Sequence, residues 1–305
     1  MSERYSGVVI LNKPDGFTSH DAVNKMRRIF HTKKVGHTGT LDPMATGVLP
    51  ILVGNAVKAS SFLVTDSKCY RTTVKLGIET DTEDTSGKIL SEKEVVVTDV
   101  EIISAIESFL GESDQIPPMY SALKVDGKKL YDLARQGIEI EREARRIYID
   151  KIWDIEKISD TEWAFSVSVS KGTYIRTLVA DIGKKLGCGG AMSSLCRISS
   201  GSFTIENAYT LDQLERLAEE NRLDETVIET ERLFETLTEI RLSEFYSRLA
   251  RNGQPIYSSR AHIEFPEIGE RVRLYDNLGI FFALGEVVEI NNEKCVKSIK
   301  MFDIQ

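Results

Sequence analysis

The segment from Gly36 to Pro50, GHTGTLDPMATGVLP, carries a single carboxylate, that of Asp42. Its glycines, at positions 36, 39 and 47, permit tight turns and a close approach of the backbone. Pro43 fixes its own φ and keeps Asp42 out of the helical region, so the aspartate is presented from an extended backbone. A carboxylate held in this way is available to react with a bound molecule, or it caps a tight turn. The segment alone leaves both interpretations open.

A second candidate for chemistry is Arg176. A carboxylate in a buried site needs a cation to stay ionised, and an arginine beside it lowers its pKa by about one to three units. Arg176 and Tyr174 lie off the apolar stripe of the helix predicted to follow them, so they are free to serve a site. The alternatives are a surface arginine and, for Tyr70 on a predicted strand, a core aromatic with a satisfied hydroxyl. Without further information, these alternatives are favoured for Arg176 and Tyr70.

The net charge of −8 argues only superficially against a nucleic-acid partner, because local charge steers an RNA backbone. Between Glu206 and Glu239 there are eleven acidic and three basic residues, which accounts for the whole net charge. Basic residues cluster elsewhere: Lys25, Arg27, Arg28, Lys33, Lys34, Lys124, Lys128, Lys129 and Arg135. Each cluster, taken singly, is explained as well by a solvated helix face.

Length and composition bound the class of protein. With 305 residues and 41% hydrophobic residues, the chain is predicted to form one large or two ordinary globular domains. No apolar run approaches the length of a membrane span. The four cysteines show neither metal-ligand nor disulfide-framework spacing, so reduced thiols and a cytoplasmic location are expected. The acidic turn 81–87 lacks the glycine and the flanking helices of an EF-hand, so we predict no metal there.

Three segments together resemble the bacterial tRNA pseudouridine synthase B (TruB) family: GHTGTLDPMATGVLP at 36–50, KCYR at 68–71 and SKGTYIRTL at 170–178. The resemblance is strong from about Val8 to Phe203, with no departure at the motif positions. It implies an enzyme that isomerises uridine to pseudouridine at position 55 in the T-loop of tRNA. The reaction breaks the N1–C1′ bond, turns the base and rejoins it through C5. It needs no metal, redox equivalent or phosphate donor, so no cofactor is expected.

The resemblance also implies roles for individual residues. Asp42 is the nucleophile, directed at C6 of the base or at C1′, and Arg176 pairs with it. Tyr70 stacks on the target base, Tyr174 packs against it, and Leu195 forms an apolar wall of the base pocket. The nucleotide must leave its stack at a cost of a few kcal/mol, which stacking on Tyr70 offsets by about 1–3 kcal/mol. His37 fills the vacated place or stacks in the T-loop; a locally bonded turn histidine is nearly as well supported.

The segment IPPMYSALKVDGKKLYDLARQG at 116–137 resembles an RNA-clasping insert of the family, which would span about residues 115–146. Its tyrosines interleave with lysines, a composition that suits RNA because rings stack on bases and cations meet phosphates. Contacts to the RNA backbone are therefore expected from Lys13, Arg27, Arg28, Lys124, Lys128 and Lys129. Lys13 is also explained as an ordinary lysine of an Asn-Lys-Pro loop.

Local patterns predict the elements that position these residues. Capping boxes at Thr18/Asp21 and Thr98/Glu101 predict the starts of two helices. Asn55 is predicted to begin a helix through Leu63. Further helices are predicted at 130–136, at 175–186 and after Thr210, and a hairpin turn at Asp126-Gly127. The predicted strands are Val8–Leu11, Cys69–Ile78, Glu94–Thr98, Arg146–Ile158, Trp163–Ser170, Arg271–Tyr275, Ile280–Leu284 and Glu286–Ile290.

These patterns and the resemblance predict an α+β fold, a mixed and mainly antiparallel sheet flanked by helices as in pseudouridine synthases. Residues 1–236 are expected to form the catalytic domain. Residues 237–305 are expected to form a small β-rich, PUA-like RNA-binding domain, because RNGQPI at 251–256 resembles the opening of such a module. The expected partner is the T-arm stem-loop of tRNA, bound by a monomer without an obligate protein partner or a membrane.

Two competing functions stay open from the residues. In the first, the chain is a non-catalytic RNA-binding or tRNA-folding protein in which Asp42 caps a loop. In the second, it is a metal-dependent hydrolase that uses Asp42 with Asp66, Asp81 or Asp84, although no His/Asp spacing suited to holding a metal accompanies them. We predict the synthase.

Overall fold

The computed structural model describes residues 4–63, 67–121, 123–125 and 127–302, and only the backbone of Lys124, Lys128 and Lys129. The helices are α1 (Ser19–Ile29), α2 (Asp99–Glu107), α3 (Leu130–Ala134), α4 (Ile175–Lys185), α5 (Leu211–Glu219), α6 (Glu244–Arg251) and α7 (Ser258–Ala261). Short 3₁₀ turns lie at Gly54–Ala59, Ile205–Asn207, Leu223–Thr226 and Thr230–Phe234. None of the helices in these ranges is long and apolar enough to cross a membrane.

The strands are β1 (Gly7–Lys13), β2 (Val35–His37), β3 (Thr46–Val53), β4 (Ser67–Leu76), β5 (Ile78–Thr80), β6 (Ile89–Glu92), β7 (Gly111–Gln115), β8 (Lys124–Val125), β9 (Lys128–Lys129), β10 (Arg145–Lys157), β11 (Glu162–Ser170), β12 (Gly190–Ser200), β13 (Phe203–Thr204), β14 (Ile228–Glu229), β15 (Thr238–Arg241), β16 (Ile256–Tyr257), β17 (Arg271–Tyr275), β18 (Phe281–Ile290) and β19 (Glu293–Met301).

One ten-stranded sheet dominates the first two thirds of the chain. Its strands follow the order β14-β1-β3-β12-β4-β11-β10-β7, with β2 paired to β3 and β13 paired to β12. All its pairs are antiparallel except β3 with β12, which run parallel. The prediction of a mixed, mainly antiparallel sheet in an α+β fold is confirmed.

Helices cover this sheet because their local signals agree with their apolar faces. The side chains of Thr18, Thr98 and Thr210 accept hydrogen bonds from the amide at N3, and the N3 side chains reach back. Both predicted capping boxes therefore form, and a third starts the helix predicted after Thr210. Residues of α1, α2, α4 and α5 share one buried apolar cluster with the sheet strands. Burial of these faces, at roughly 25 cal/mol per Å² of apolar surface, is the main force that holds the helices on the sheet.

Strand β12 lies at the centre of the sheet, between β3 and β4, and its contact with β3 depends on Gly47. Gly47 has φ +97° and pairs with Arg197 of β12. A Cβ added at Gly47 would lie 2.3 Å from the Arg197 carbonyl oxygen. Glycine therefore allows the chain that leaves the Asp42 segment to approach the central strand.

The last third of the chain forms a five-stranded sheet in the order β15-β17-β18-β19-β16 with its own apolar cluster. An aromatic cluster joins it to the first sheet: Phe234 packs against Phe281 and Phe302, with ring centroids 6.3 and 5.8 Å away. Phe281 and Phe302 stack on each other at 5.4 Å. The seam between the two sheets is thus built from rings of both parts of the chain.

Several predicted boundaries are wrong. The strand expected at Glu94–Thr98 is found earlier, at Ile89–Glu92, where it pairs with Ile78–Thr80. The helix expected from Asn55 is a 3₁₀ turn at Gly54–Ala59, and the two runs at 280–290 form one strand with a register shift near Gly285. The hairpin of β8 and β9 forms as predicted, although Asp126 lies outside the described residues.

We expect Gly47→Ala to lower the free energy of unfolding more than Gly187→Ala does. Both glycines have positive φ, at +97° and +78°, but an added Cβ at Gly187 meets nothing within 4 Å. Each alanine should cost about 1–2 kcal/mol for its left-handed backbone, and only the Gly47 variant adds the clash with β12. Urea unfolding of the two variants measures the difference. Equal losses would show that the close approach of β3 and β12 is unimportant.

Candidate active site

Asp42 lies on the loop between β2 and β3, and contacts at both sides hold that loop. The hydroxyl of Ser19, the first residue of α1, accepts from the Leu41 amide at 2.9 Å and donates to the Leu41 carbonyl at 3.1 Å. Leu41 and Ala45 are buried on either side of Asp42. The Ala45 amide donates to the Asp42 carbonyl at 3.1 Å. The backbone at Asp42 is therefore fixed, while its side chain keeps 38% exposure.

The partner of the Asp42 carboxylate is Arg176, in the first turn of α4. Its Nε lies 2.9 Å from Oδ2 of Asp42, and the guanidinium side chain is only 6% exposed. Its remaining nitrogens donate to the carbonyls of Thr82, at 3.1 Å, and Tyr120, at 2.8 Å. Arg176 is thus a buried and hydrogen-bonded cation beside Asp42, not a surface arginine of the helix. Among the described residues, no backbone amide donates to the Asp42 carboxylate, so a capping role has no contact to support it.

A second carboxylate faces the same guanidinium. Oδ2 of Asp84 lies 3.9 Å from Nη1 of Arg176. The other oxygen, Oδ1, accepts from the Thr82 hydroxyl at 2.8 Å and from the amide and hydroxyl of Ser86 at 3.0 and 2.5 Å. The acidic turn 81–87 is consequently held against the site from the side opposite to Asp42. Within the described residues, no group of three or more His, Cys, Asp or Glu side chains could hold a metal ion.

Tyr70 and Leu195 come from neighbouring strands of the sheet centre. On the paired strands β4 and β12, Tyr70 lies opposite Arg197 and Thr72 lies opposite Leu195. Because side chains two residues apart on a strand share a face, Tyr70 and Leu195 line the same face of the sheet. Each is 8% exposed. Burial raises the pKa of the Tyr70 hydroxyl, and the charge of Asp42 adds to this effect, so the phenol is neutral at neutral pH.

Tyr174 precedes α4 and is fixed through its backbone. The side-chain amide of Gln115 accepts from the Tyr174 amide at 2.8 Å and donates to its carbonyl at 3.0 Å. Gln115 is 3% exposed, so this bidentate pair is protected from water. Burial raises the pKa of Tyr174, to which the nearby charges of Arg176 and Asp42 also contribute in opposite directions. Tyr174 and Arg176 are therefore placed together at the start of one helix.

His37 ends β2 at the entrance to the Asp42 loop. The side chain is partly buried, and its Nδ1 has no hydrogen-bond partner within the part of the chain that the structure describes. Burial lowers the pKa of His37, and the charge of Arg197 lowers it further. The imidazole is therefore held neutral at neutral pH, five residues before Asp42.

The expectation that Lys13 contacts an RNA backbone is wrong. The residue is fully buried, and its ammonium donates to the carbonyls of Pro14, Phe17 and Pro43 at 2.8, 2.5 and 3.1 Å. Its three N–H groups are thus used inside the protein. Burial lowers the pKa of Lys13 to about 8, against the opposing effects of Asp15, Asp42 and Asp21. Lys13 joins the end of β1 to the residue that follows Asp42.

Of the other basic residues expected at an RNA surface, the structure describes the side chains of two, Arg27 and Arg28. Arg28 is exposed near the end of α1, whereas Arg27 is partly buried and donates to the Asn24 side chain at 2.9 Å. The side chains of Lys124, Lys128 and Lys129 lie outside the described part of the structure. Their expected contacts with phosphates stay predictions.

Two buried side chains at the site were not singled out from the sequence: Gln115 and Arg197. Arg197 is 1% exposed, directly opposite Tyr70 and two residues after Leu195. A charged residue in the middle of an otherwise apolar and small-residue strand, SLCRIS, was the available signal. Gln115 was recognisable only as the residue before Ile116-Pro117-Pro118, and its partner is 59 positions away.

The arrangement supports carboxylate chemistry on a flat, apolar group. Arg176 places a buried positive charge 2.9 Å from the Asp42 carboxylate. A buried tyrosine and a leucine on one sheet face offer a platform for a ring. The carboxylate–guanidinium pair and the apolar sheet face meet at Asp42, whose charge raises the pKa of both Tyr70 and Tyr174.

Comparison with known proteins agrees with this geometry. A family described as "TruB family pseudouridylate synthase (N terminal domain)" matches residues 27–175, and "tRNA pseudouridylate synthase B C-terminal domain" matches residues 176–236. The tRNA pseudouridine synthase B of Clostridium perfringens (strain ATCC 13124) is 44% identical over 282 residues, covering 92% of this chain and 95% of that protein. The namesake from Alkaliphilus oremlandii is 45% identical over 298 residues, covering 97% and 98%.

The chain belongs to the TruB family of tRNA pseudouridylate synthases. It is therefore an enzyme of the isomerase class that forms pseudouridine. Among solved structures, a chain of a Cbf5–Nop10–Gar1 complex superimposes with a TM-score of 0.71 at 25% identity, covering 99% of this chain and 86% of that one. The pseudouridine synthase fold predicted for this member of the TruB family is confirmed.

We expect the stability of the protein to depend on Lys13 in an unusual direction at alkaline pH. The folded pKa of about 8 lies below the ordinary value of 10.5, so the unfolded chain binds more protons between these values. The Lys13 contribution to the free energy of unfolding should therefore be constant below pH 8 and rise with pH up to about 10.5, by at most about 1.4 kcal/mol per unit.

The measurement is urea unfolding of the wild type and Lys13→Gln across this range, with the difference between the two curves isolating Lys13. A difference that falls with pH would show that the hydrogen bonds of the charged ammonium outweigh the cost of its burial.

Proposed function

We propose that this enzyme isomerises the uridine at position 55 in the T-loop of tRNA, with Asp42 as the nucleophile on a flipped-out base. The contact between Asp42 and Arg176, 2.9 Å long and closed from water on the arginine side, is the observation that supports it best. The attack is directed at C6 of the base or at C1′ of the ribose. In either case the N1–C1′ bond breaks, the uracil turns and a C5–C1′ bond forms. C5 loses its proton, N1 takes one up, and the bond between Asp42 and the substrate breaks to free the product, so the composition of the RNA does not change.

The proposed base site is the face of the sheet that carries Tyr70 and Leu195. The ring of Tyr70 stacks on the uracil, Leu195 closes the pocket as an apolar wall, and Tyr174 packs against the base from the start of α4. Stacking on Tyr70 offsets the cost of unstacking the nucleotide by about 1–3 kcal/mol. The neutral His37 occupies the place that the flipped nucleotide leaves, or stacks within the T-loop.

The proposed tRNA interface extends from this site over Arg28, the insert at about 115–146 and the C-terminal sheet. A boundary at 236/237 between a catalytic domain and a PUA-like RNA-binding domain is supported by the separate apolar cluster of β15 to β19. Phosphate contacts by Lys124, Lys128 and Lys129 belong to this proposal. So do a monomeric state without an obligate protein partner and a cytoplasmic location.

The decisive experiment incubates the protein with an unmodified tRNA T-arm stem-loop in EDTA, followed by digestion and separation of the nucleosides. We expect one uridine, at position 55, to move to the chromatographic position of pseudouridine while the mass of the intact RNA stays constant. Asp42→Asn should abolish this conversion and leave the affinity for the stem-loop within about threefold, because asparagine is nearly isosteric but not nucleophilic.

The matched control is Asp160→Asn, because the Asp160 side chain is fully exposed in a distant turn. This variant should convert the stem-loop at the wild-type rate. Turnover by a verified Asp42→Asn protein would remove Asp42 from the nucleophile role. Tight binding with every uridine unchanged would favour a non-catalytic RNA-binding function, and fragmentation of the RNA on addition of metal would favour a hydrolase.

A second variant tests whether the contact between Arg176 and Asp42 is needed for turnover. Arg176→Lys keeps the charge but loses the planar fork that reaches Asp42, Thr82 and Tyr120 together. We expect kcat to fall by about two orders of magnitude with the fold intact, the size of effect that follows from a small misplacement of a reacting group. Arg222→Lys is the control, since Arg222 also pairs with carboxylates, Glu220 and Glu225, but is exposed. Near-normal turnover by Arg176→Lys would mean that the pairing is dispensable.

A further inference from the structure

We propose that Arg197 is a positioning residue for the uridine isomerisation. Its single buried guanidinium binds the Asp42 segment on both sides of the aspartate, and Arg197 is the direct strand partner of Tyr70. The inference rests on the proposed roles of Asp42 and Tyr70 and adds the element that sets one relative to the other.

The position of Arg197 in the sheet makes this possible. Strand β12 lies between β3, which follows the Asp42 loop, and β4, which carries Tyr70. Arg197 is the direct partner of Gly47 on one side and of Tyr70 on the other. One side chain can therefore reach the loop and the aromatic platform at the same time.

The hydrogen bonds of Arg197 span the loop. Nε donates to the Val48 carbonyl at 2.6 Å, and Nη2 donates to the Gly39 carbonyl at 3.0 Å. These two carbonyls lie after and before Asp42, so the rigid guanidinium plane fixes the distance between the two ends of the segment. Asp42 lies between these two anchored residues, so the position of its carboxylate depends on both hydrogen bonds.

Arg197 also faces Tyr70, its direct partner on β4, and its charge opposes the rise in the pKa of the Tyr70 hydroxyl. The ring of Tyr70 is packed in the apolar cluster beside this buried guanidinium. Arg197 is therefore the residue that lies between the Asp42 loop and Tyr70.

A purely structural role does not account for the choice of arginine. Arg197 is 1% exposed, and within the described residues no ion pair joins it to a carboxylate. A buried cation without such a partner costs several kcal/mol of desolvation, and an apolar residue could fill the volume at lower cost. Its charge acts on the site instead: it lowers the pKa of His37 and opposes the rise in the pKa of Tyr70.

The test compares Arg197→Lys and Arg197→Met with Arg71→Lys as control. Arg71 is the next residue after Tyr70 on the same strand, but its guanidinium reaches the other way, to Glu156 and the Asp154 carbonyl. Single-turnover conversion of the T-arm stem-loop, stem-loop affinity and thermal unfolding are measured for all three. The pKa of Tyr70 is read from ¹³Cζ-tyrosine NMR, with the signal assigned by Tyr70→Phe.

We expect Arg197→Lys to lower the single-turnover rate about 100-fold, since lysine cannot bridge both carbonyls, and to leave the stem-loop Kd within about threefold. In Arg197→Met the pKa of Tyr70 should rise above its wild-type value, because the Arg197 charge that lowers it is gone while burial and the charge of Asp42 still raise it. Arg71→Lys should change neither the rate nor the pKa of Tyr70. A folded Arg197→Lys protein that turns over within about threefold of wild type would overturn the proposal.

If both Arg197 variants fail to fold, Tyr70→Phe decides. Phenylalanine keeps the stacking ring and removes only the oxygen on which the Arg197 charge acts, so a rate at least about tenfold lower with unchanged affinity supports the proposal. An unchanged rate overturns it. The outcome is separate from the nucleophile test, because turnover by Asp42→Asn would refute the role of Asp42 whatever the Arg197 variants do.

Discussion

The geometry of the site depends on the contacts made by the buried guanidinium of Arg176. A cation removed from water is tolerated only when its donors are satisfied, and leaving one unsatisfied costs about 1–3 kcal/mol or more. Here the partners are Asp42, the Thr82 carbonyl and the Tyr120 carbonyl, with Asp84 nearby. Three stretches distant in sequence must therefore converge on the first turn of α4.

Three buried cations surround one short loop in a chain with a net charge of −8. Arg176 binds the Asp42 carboxylate, Arg197 binds the carbonyls of Gly39 and Val48, and Lys13 binds the carbonyl of Pro43. Most of these hydrogen bonds are accepted by backbone carbonyl oxygens. The cations therefore hold the backbone of the loop, and of the three only Arg176 pairs with the Asp42 carboxylate.

The sequence predicted the elements whose causes are local. The capping boxes at Thr18, Thr98 and Thr210 formed because each signal lies within one turn, and β10, β11 and α4 begin and end within one or two residues of their predicted bounds. The strand expected at Glu94–Thr98 was misplaced because an extended run becomes a strand only where a partner lies beside it, and the partner, β5, pairs with residues 89–92. The β-strand propensities of the residues cannot show which of the two stretches pairs with β5.

Some residues of the candidate site were predictable from the sequence, and others were not. Asp42, Tyr70, Tyr174, Arg176 and Leu195 were found through motif resemblance, and the structure places them around one loop and one sheet face. Lys13 was misjudged and Arg197 passed over, because a basic residue is expected at the surface unless the fold provides partners for it. For Arg197 the partners are carbonyls of distant segments, brought within reach only when β12 enters between β3 and β4. For Lys13 they are the nearby carbonyls of Pro14 and Phe17 and the distant one of Pro43.

The convergence on Arg176 also links the stretch around Gln115 and Tyr120 to Asp42. Tyr120, whose carbonyl binds Arg176, belongs to the stretch that leads into β8 and β9. Gln115, at the start of the same stretch, holds the backbone of Tyr174 two residues before Arg176. A displacement of this stretch would remove the Tyr120 acceptor from a buried guanidinium and at the same time loosen the start of α4. The position of the insert and the position of the Asp42 carboxylate are therefore linked through shared hydrogen bonds, and each restricts the other.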